Sequence, residues 1–204
     1  MTKKAQTAFP VMEVIANRWS PYGLDSKPVP EPDLLSILEA ARWSASSFNE
    51  QPWRFIVATR DQGDLYERIL SCLVEANQQW AGAAPVLMLG IIKKTFTHNG
   101  KPNRVALHDL GLAAATLTLE ATSRGLSVHQ MAGILPDRAR ELFSIPDDFD
   151  IETAIAIGYA ADPKGLEEGA KKRDTTPRTR RTLGEFVFGE RWGEASRLVK
   201  ERTG

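Results

Sequence analysis

A single domain of intermixed helices and strands, extended by a polar C-terminal arm, is what this sequence predicts. Three observations carry that expectation. Stretches with the apolar period of an amphipathic helix alternate with short runs rich in β-branched and aromatic residues. At 204 residues, 42% hydrophobic and 25% charged, the chain has the size and composition of an ordinary water-soluble globular domain. From residue 162 the apolar pattern gives way to "DPKGLEEGAKKRDTTPRTRRT", punctuated by Pro and Gly. The division expected is a core at about 10–161 and an arm at about 162–204, within one domain spanning 1–204.

The elements follow in order. Val11, Val14 and Ile15 share a face in a first helix at 10–18. A second, at 32–43, stacks Leu34, Leu35, Leu38 and Ala41; Pro32 suits its first turn, where a missing N–H costs nothing. "RFIVAT" at 54–59 reads as a strand, and 62–76 as a helix carrying Leu65, Ile69, Cys72, Leu73 and Ala76. "PVLMLGII" at 85–92 reads as a buried strand, with Pro85 restricting only its first position. The longest helix is expected at 103–124. Its Ala113, Ala114 and Ala115 admit a close neighbour, and Gly125 is a natural stop. An apolar face this broad suits a central helix or a subunit interface. A strand near 126–131, a helix at 136–143 and a strand at 151–160, in which Ile151, Thr153, Ile155 and Ile157 alternate with smaller residues, complete the core.

Composition excludes several function classes. Twenty-six basic and 26 acidic residues cancel, so no net field recruits nucleic acid or a membrane surface. The longest apolar run, "APVLMLGII", is too short to span a bilayer. The start, "MTKKAQTAFPVM", lacks the apolar core of a secretory signal. One cysteine, Cys72, forbids an internal disulfide and suits a cytoplasmic setting; on a helix face it reads as a small buried hydrophobe.

The common catalytic signatures are missing. The sequence contains neither G-x-G-x-x-G nor the P-loop pattern, and no G-x-S-x-G elbow. His98, His108 and His129 match no zinc spacing, so no metal site is expected. An enzyme of this kind would borrow its chemistry from a bound cofactor. Against that background "SASSFNEQPWRF" at 44–55 stands out, because three serines and two amides between a helix and a strand cannot pack a core. Two basic clusters remain. Residues 171–181, "KKRDTTPRTRR", read on their own as a solvated loop, or as arginines spaced to grip one phosphate. "NRWSPY" at 17–22 reads as a helix exit, or as a second set of donors to the same anion.

Taken together, "NRWSPYGLD", "AARWSASSFNEQPWRFIVA" at 40–58 and the distal "VFGERWG" resemble the FMN-dependent nitroreductase family, in order and over nearly the whole chain. The resemblance implies an α+β fold, a mixed sheet flanked by helices, in an intertwined homodimer whose C-terminal arm adds a strand to the partner. It assigns Arg18 and Ser20, with Trp19 and Tyr22 beside them, and Arg178 and Arg180 from the arm, to an FMN phosphate. Ser46, Ser47 and Asn49 would reach the flavin held by the other subunit. Asn77 and the segment Gln130, Met131 and Gly133 would lie against the isoalloxazine ring.

The activity so implied is hydride transfer from NADH or NADPH to the flavin, and onward to a nitroaromatic, a quinone or a similar small acceptor. No side chain is assigned a catalytic role. A dehalogenase or flavin-fragmenting enzyme of the same fold, and a flavin-binding sensor with little turnover, are the alternatives. One departure bears on redox tuning. Many members carry a basic side chain at the positions held here by Tyr22 and Trp80. Without both, the flavin is expected to be harder to reduce unless another arginine, such as Arg54, reaches the ring. The alternative is that the two aromatics narrow the substrate pocket and the charge is supplied elsewhere.

Overall fold

The strand Val86–Lys93 organises the chain, because every residue but its last is buried. In the computed structural model, which describes residues 3–200, this strand (β3) lies between β2 (Trp53–Thr59) and β5 (Phe149–Ala160). The far edge of β5 is shared by β4 (Ser127–Met131) and the short β1 (Leu24–Asp25). All these pairs are antiparallel. The described sheet is therefore antiparallel rather than mixed. Parallel neighbours need a crossover that returns the chain to the starting end, and the helical links here leave paired strands running in opposite directions.

Side chains on β3 alternate between two cores, as the two-residue repeat of a strand requires. Leu87, Leu89 and Ile91 pack with α3 (Asp64–Leu70), α4 (Glu75–Ala81) and α6 (Pro136–Phe143). Val86, Met88 and Ile92 pack with α2 (Glu31–Arg42) and α5 (Ala106–Ser123). Ile37, Leu110 and Leu117 are at most 2% exposed, and each such side chain stabilises the fold by roughly 1.5–3 kcal/mol. Among the described residues no helix is long and apolar enough to cross a membrane.

Three departures from the sequence expectation have identifiable causes. The pairing of β3 with β5 shifts register between Gly90 and Ile91, passing over Glu152. The extra residue reverses the facing of what precedes it, so Ile151 joins the α3 side while Ile155 and Ile157 join the α5 side. The helix expected at 62–76 is broken into a 3-10 turn (Arg60–Gln62), α3 and α4. The break is made by a tertiary contact: Leu73 bridges Ile134, and Val74 N–H donates to the Gly133 carbonyl at 3.1 Å. The first helix, α1, contracts to Glu13–Asn17, with Arg18 already extended.

Other expectations hold. Gly125, at φ 76°, closes α5 with a pair of bonds in which its N–H reaches Thr122 O and the Leu126 N–H reaches Ala121 O. Cys72 is buried, which raises its thiol pKa, and Sγ lies 3.2 Å from the Arg68 carbonyl. Tyr66 directs its buried hydroxyl at Ala84 O, 2.6 Å away, fixing the turn between α4 and β3; burial pushes its phenol up to about 12. In the arm, α7 (Glu168–Thr175) is followed by a 3-10 turn at Leu183–Glu185, a Phe188–Ala195 bridge and α8 (Arg197–Lys200).

Candidate active site

The two basic clusters, far apart in sequence, meet at one corner. Arg18 leaves the end of α1 and donates from Nη1 to Ser20 Oγ at 3.1 Å. Arg178 comes from the arm, and its Nη1 donates to the carbonyls of Lys3 and Ala16 at 2.9 and 3.0 Å. Arg180 donates to its neighbouring Thr179 carbonyl. Burial and then the charges of Arg178 and Arg180 hold the Arg18 guanidinium below its ordinary pKa, and burial and then Arg180 do the same to Arg178. Among the described residues no carboxylate forms an ion pair with any of the three. Clustered guanidiniums without a paired acid are favourable surroundings for an anion. Trp19 is buried beside them, with the Lys3 ammonium 5.3 Å from its ring centre.

A second group adjoins through the loop that follows Ser20. The rings of Tyr22, Trp80 and His129 are mutually packed, with centroids 4.4–5.2 Å apart. His129 Nδ1 lies 2.8 Å from the Pro21 carbonyl, and burial lowers its pKa. The Arg173 guanidinium sits 4.5 Å above the Tyr22 ring. Arg54 does not fill that place, since its Nη1 is spent on the carbonyls of Gln51 and Trp53. One turn before Trp80 on α4, Asn77 Nδ2 donates to the Gly133 carbonyl at 2.9 Å. Met131 turns its side chain into the core and leaves only its backbone available. Gln130 Nε2 is drawn toward α5, to Thr118 Oγ1 and Ala114 O at 3.2 and 3.3 Å.

The stretch 46–51 forms a third group. Three of its non-glycine residues, Phe48, Asn49 and Gln51, have φ between 50° and 56°, a conformation that costs a side-chain-bearing residue about 1–2 kcal/mol. Ser46 Oγ accepts from Gln51 N–H, Asn49 Oδ1 accepts from Gln51 Nε2, and Ser47 N–H donates to the buried Asp109 carboxylate on α5 at 3.0 Å. Backbone strain of this density is characteristic of functional turns. Among the described residues these groups make no hydrogen bond to the Arg18 corner or to Asn77. The Ser47 turn is anchored instead on α5, through Asp109.

The sequence reading gave no site role to Asp174, Asp109 or His129 and none to Arg173 by itself. Arg173 and Asp174 did leave a signal, as part of the basic run 171–181 and as its single acid. Among the described residues no cluster of His, Cys, Asp or Glu could hold a metal ion.

An antiparallel five-stranded sheet between two helical layers, with a corner where arginines distant in sequence gather, defines an α+β protein. The model of the nitroreductase family matches residues 15–159, and the chain belongs to that family, an oxidoreductase by that membership. It is similar to a solved oxidoreductase containing FMN, at 36% identity and a TM-score of 0.87, covering 94% of this chain and 98% of the other. An uncharacterized 15.4 kDa protein of Mycolicibacterium smegmatis is 34% identical over 149 residues, 69% of this chain and 97% of the relative. The major NAD(P)H-flavin oxidoreductase of Aliivibrio fischeri is 47% identical over a shorter stretch of 53 residues, 26% of this chain and 24% of that one.

Proposed function

We propose that this chain is an FMN-dependent oxidoreductase that takes a hydride from NADH or NADPH and reduces a small acceptor of the nitroaromatic or quinone type. The observation that carries the reading is the meeting of Arg18, Arg178 and Arg180 without a counter-charge. The donor set fits FMN: three cations and the Ser20 hydroxyl match a single dianionic phosphate, and an aromatic wall with an amide floor adjoins them.

Bound FMN supplies the two-electron chemistry, which none of the described side chains can perform alone. The residues bind and orient. Arg18, Ser20, Arg178 and Arg180 hold the phosphate, each charge-assisted bond contributing roughly 1.5–3 kcal/mol. Asn77, fixed by its bond to Gly133, lines the ring together with the backbone of Gln130, Met131 and Gly133. Tyr22 and Trp80, packed on His129, keep water from one side. No side chain is assigned an acid or base role.

The proposed working unit is a homodimer, with Ser46, Ser47 and Asn49 serving the partner's flavin. Their anchoring on α5, with no hydrogen bond among the described residues to the Arg18 corner, supports this reading. So do Trp43, Phe48, Phe186 and Trp192, each more than half exposed. The arm at 162–204 belongs to the same unit as the core, and the lone buried Cys72 suits a cytoplasmic setting.

The test begins with the absorption spectrum of the purified protein and the identity of the flavin released on denaturation. Steady-state NADH and NADPH oxidation with a quinone follows. FMN with turnover supports the proposal; FMN without turnover makes the protein a flavin binder, and release of FAD or of no flavin overturns it.

A further inference from the structure

Asp174 stands where an acid is disfavoured on two counts. It lies in the last turn of α7, where the helix dipole opposes a negative charge, and it is only 3% exposed. A buried carboxylate persists when its oxygens are saturated with donors. Here Oδ1 accepts from the Tyr22 N–H and Oδ2 from the Gly23 N–H, both at 2.9 Å. Those two amides follow Ser20 and Pro21 in the loop that carries Arg18. Around them, Lys3 Nζ donates to the Arg173 carbonyl at 3.0 Å, Arg173 covers the Tyr22 ring, and Arg178 reaches Ala16 O. The arm is thus clipped to the N-terminal segment through a buried acid, four residues before Arg178.

We propose that Asp174 is a positioning residue that locks the arm against the Tyr22–Gly23 loop and thereby sets Arg178 and Arg180 against Arg18 at the spacing of one phosphate. This inference rests on the FMN reading of the site. The carboxylate touches no ligand. Its effect passes through two backbone amides on one side and, on the other, the short stretch that leaves α7 at Thr175 and leads to Arg178, so it should be felt by the phosphate and not by the flavin ring.

That difference makes the role testable. Dissociation constants for FMN and for riboflavin, which has the same ring system without the phosphate, are measured by flavin fluorescence in the full-length wild-type chain and in Asp174→Asn. The expected result is FMN weakened about tenfold with riboflavin changed less than about twofold, since tenfold corresponds to the loss of roughly 1.4 kcal/mol of phosphate binding. Equal weakening of both flavins would reduce Asp174 to a general structural role, and unchanged FMN binding would remove it from the site; either overturns the proposal. A wild-type chain that binds FMN no tighter than riboflavin would instead overturn the phosphate reading beneath it. Should Asp174→Asn fail to fold, Asp174→Glu keeps the charge on a longer stem. It should lower the FMN-to-riboflavin preference by a smaller factor, and an undiminished preference in that folded variant overturns the proposal as well.

Discussion

Asn77 and Gly133 hold each other in place: Asn77 Nδ2 donates to the Gly133 carbonyl at 2.9 Å, and a Cβ on Gly133 would lie 2.5 Å from that same nitrogen and 2.8 Å from Val74 Cγ2. The glycine is required by this approach. Gly133→Ala should displace Asn77 from the proposed ring site and strain the start of α4, destabilising the chain by roughly 1–3 kcal/mol. Thermal melts and flavin titration check this together; a variant with unaltered flavin affinity would remove the Asn77–Gly133 pair from the site.

Arg18→Ala should weaken FMN by about tenfold or more, the loss of one charge-assisted contact of roughly 1.5–3 kcal/mol. The flavin-free protein should behave differently. Because Arg178 and Arg180 repel Arg18, its removal relieves a cost, and the melting temperature without flavin should not fall. Undiminished FMN retention would move the phosphate elsewhere.

Ending the chain after Leu183 removes Phe186, Phe188 and Trp192, of which Trp192 is 91% exposed and stacks edge-on with Phe188 at 4.9 Å. If the tail covers a second subunit, the shortened chain should lose both dimer and flavin in light scattering and absorption. A flavin-loaded monomer from the full-length chain would refute the dimer.

Tyr22→Lys should raise the flavin midpoint potential by tens of millivolts. A cation at this position stabilises charge that forms only on reduction, and about 1.4 kcal/mol is equivalent to about 30 mV for a two-electron couple. Arg173 already lies over Tyr22, so the shift should be smaller than in a site without any cation. An unchanged potential with altered acceptor preference would show that Tyr22 and Trp80 act by shape.

His129 should make stability depend on pH. Burial lowers its pKa below 6.5, against the smaller raising effects of Pro21 and Asp174 and with Arg18 acting in the same direction as burial. The folded chain therefore favours the neutral ring, and this stabilisation is complete above the unfolded pKa and lost as pH falls through the folded one. His129→Phe keeps a ring against Tyr22 and Trp80 but cannot titrate. Between about pH 7.5 and pH 5 the wild type should lose more melting temperature than the variant; parallel curves would contradict the assignment.

Whatever depends on neighbours along the chain was legible in the residues alone. Helix faces at 32–43 and 103–124, the stop at Gly125, the buried strand around Met88 and the polar stretch after Trp43 are all local patterns, set by side-chain periodicity and backbone freedom. The sequence motifs also indicated the family. Tertiary structure decided the rest. The expected helix at 62–76 breaks because Leu73 and Val74 bond to Ile134 and Gly133, a contact that apolar periodicity cannot reveal when Cys72, Leu73 and Val74 are apolar in either conformation. Ile151 changes face because the pairing of β3 with β5 shifts register between Gly90 and Ile91, leaving Glu152 without a partner position. Asp174 read as one more charge in a solvated run until the fold brought it onto the amides of Tyr22 and Gly23. A carboxylate's role follows from which donors surround it, and here those donors lie about 150 positions away in the chain.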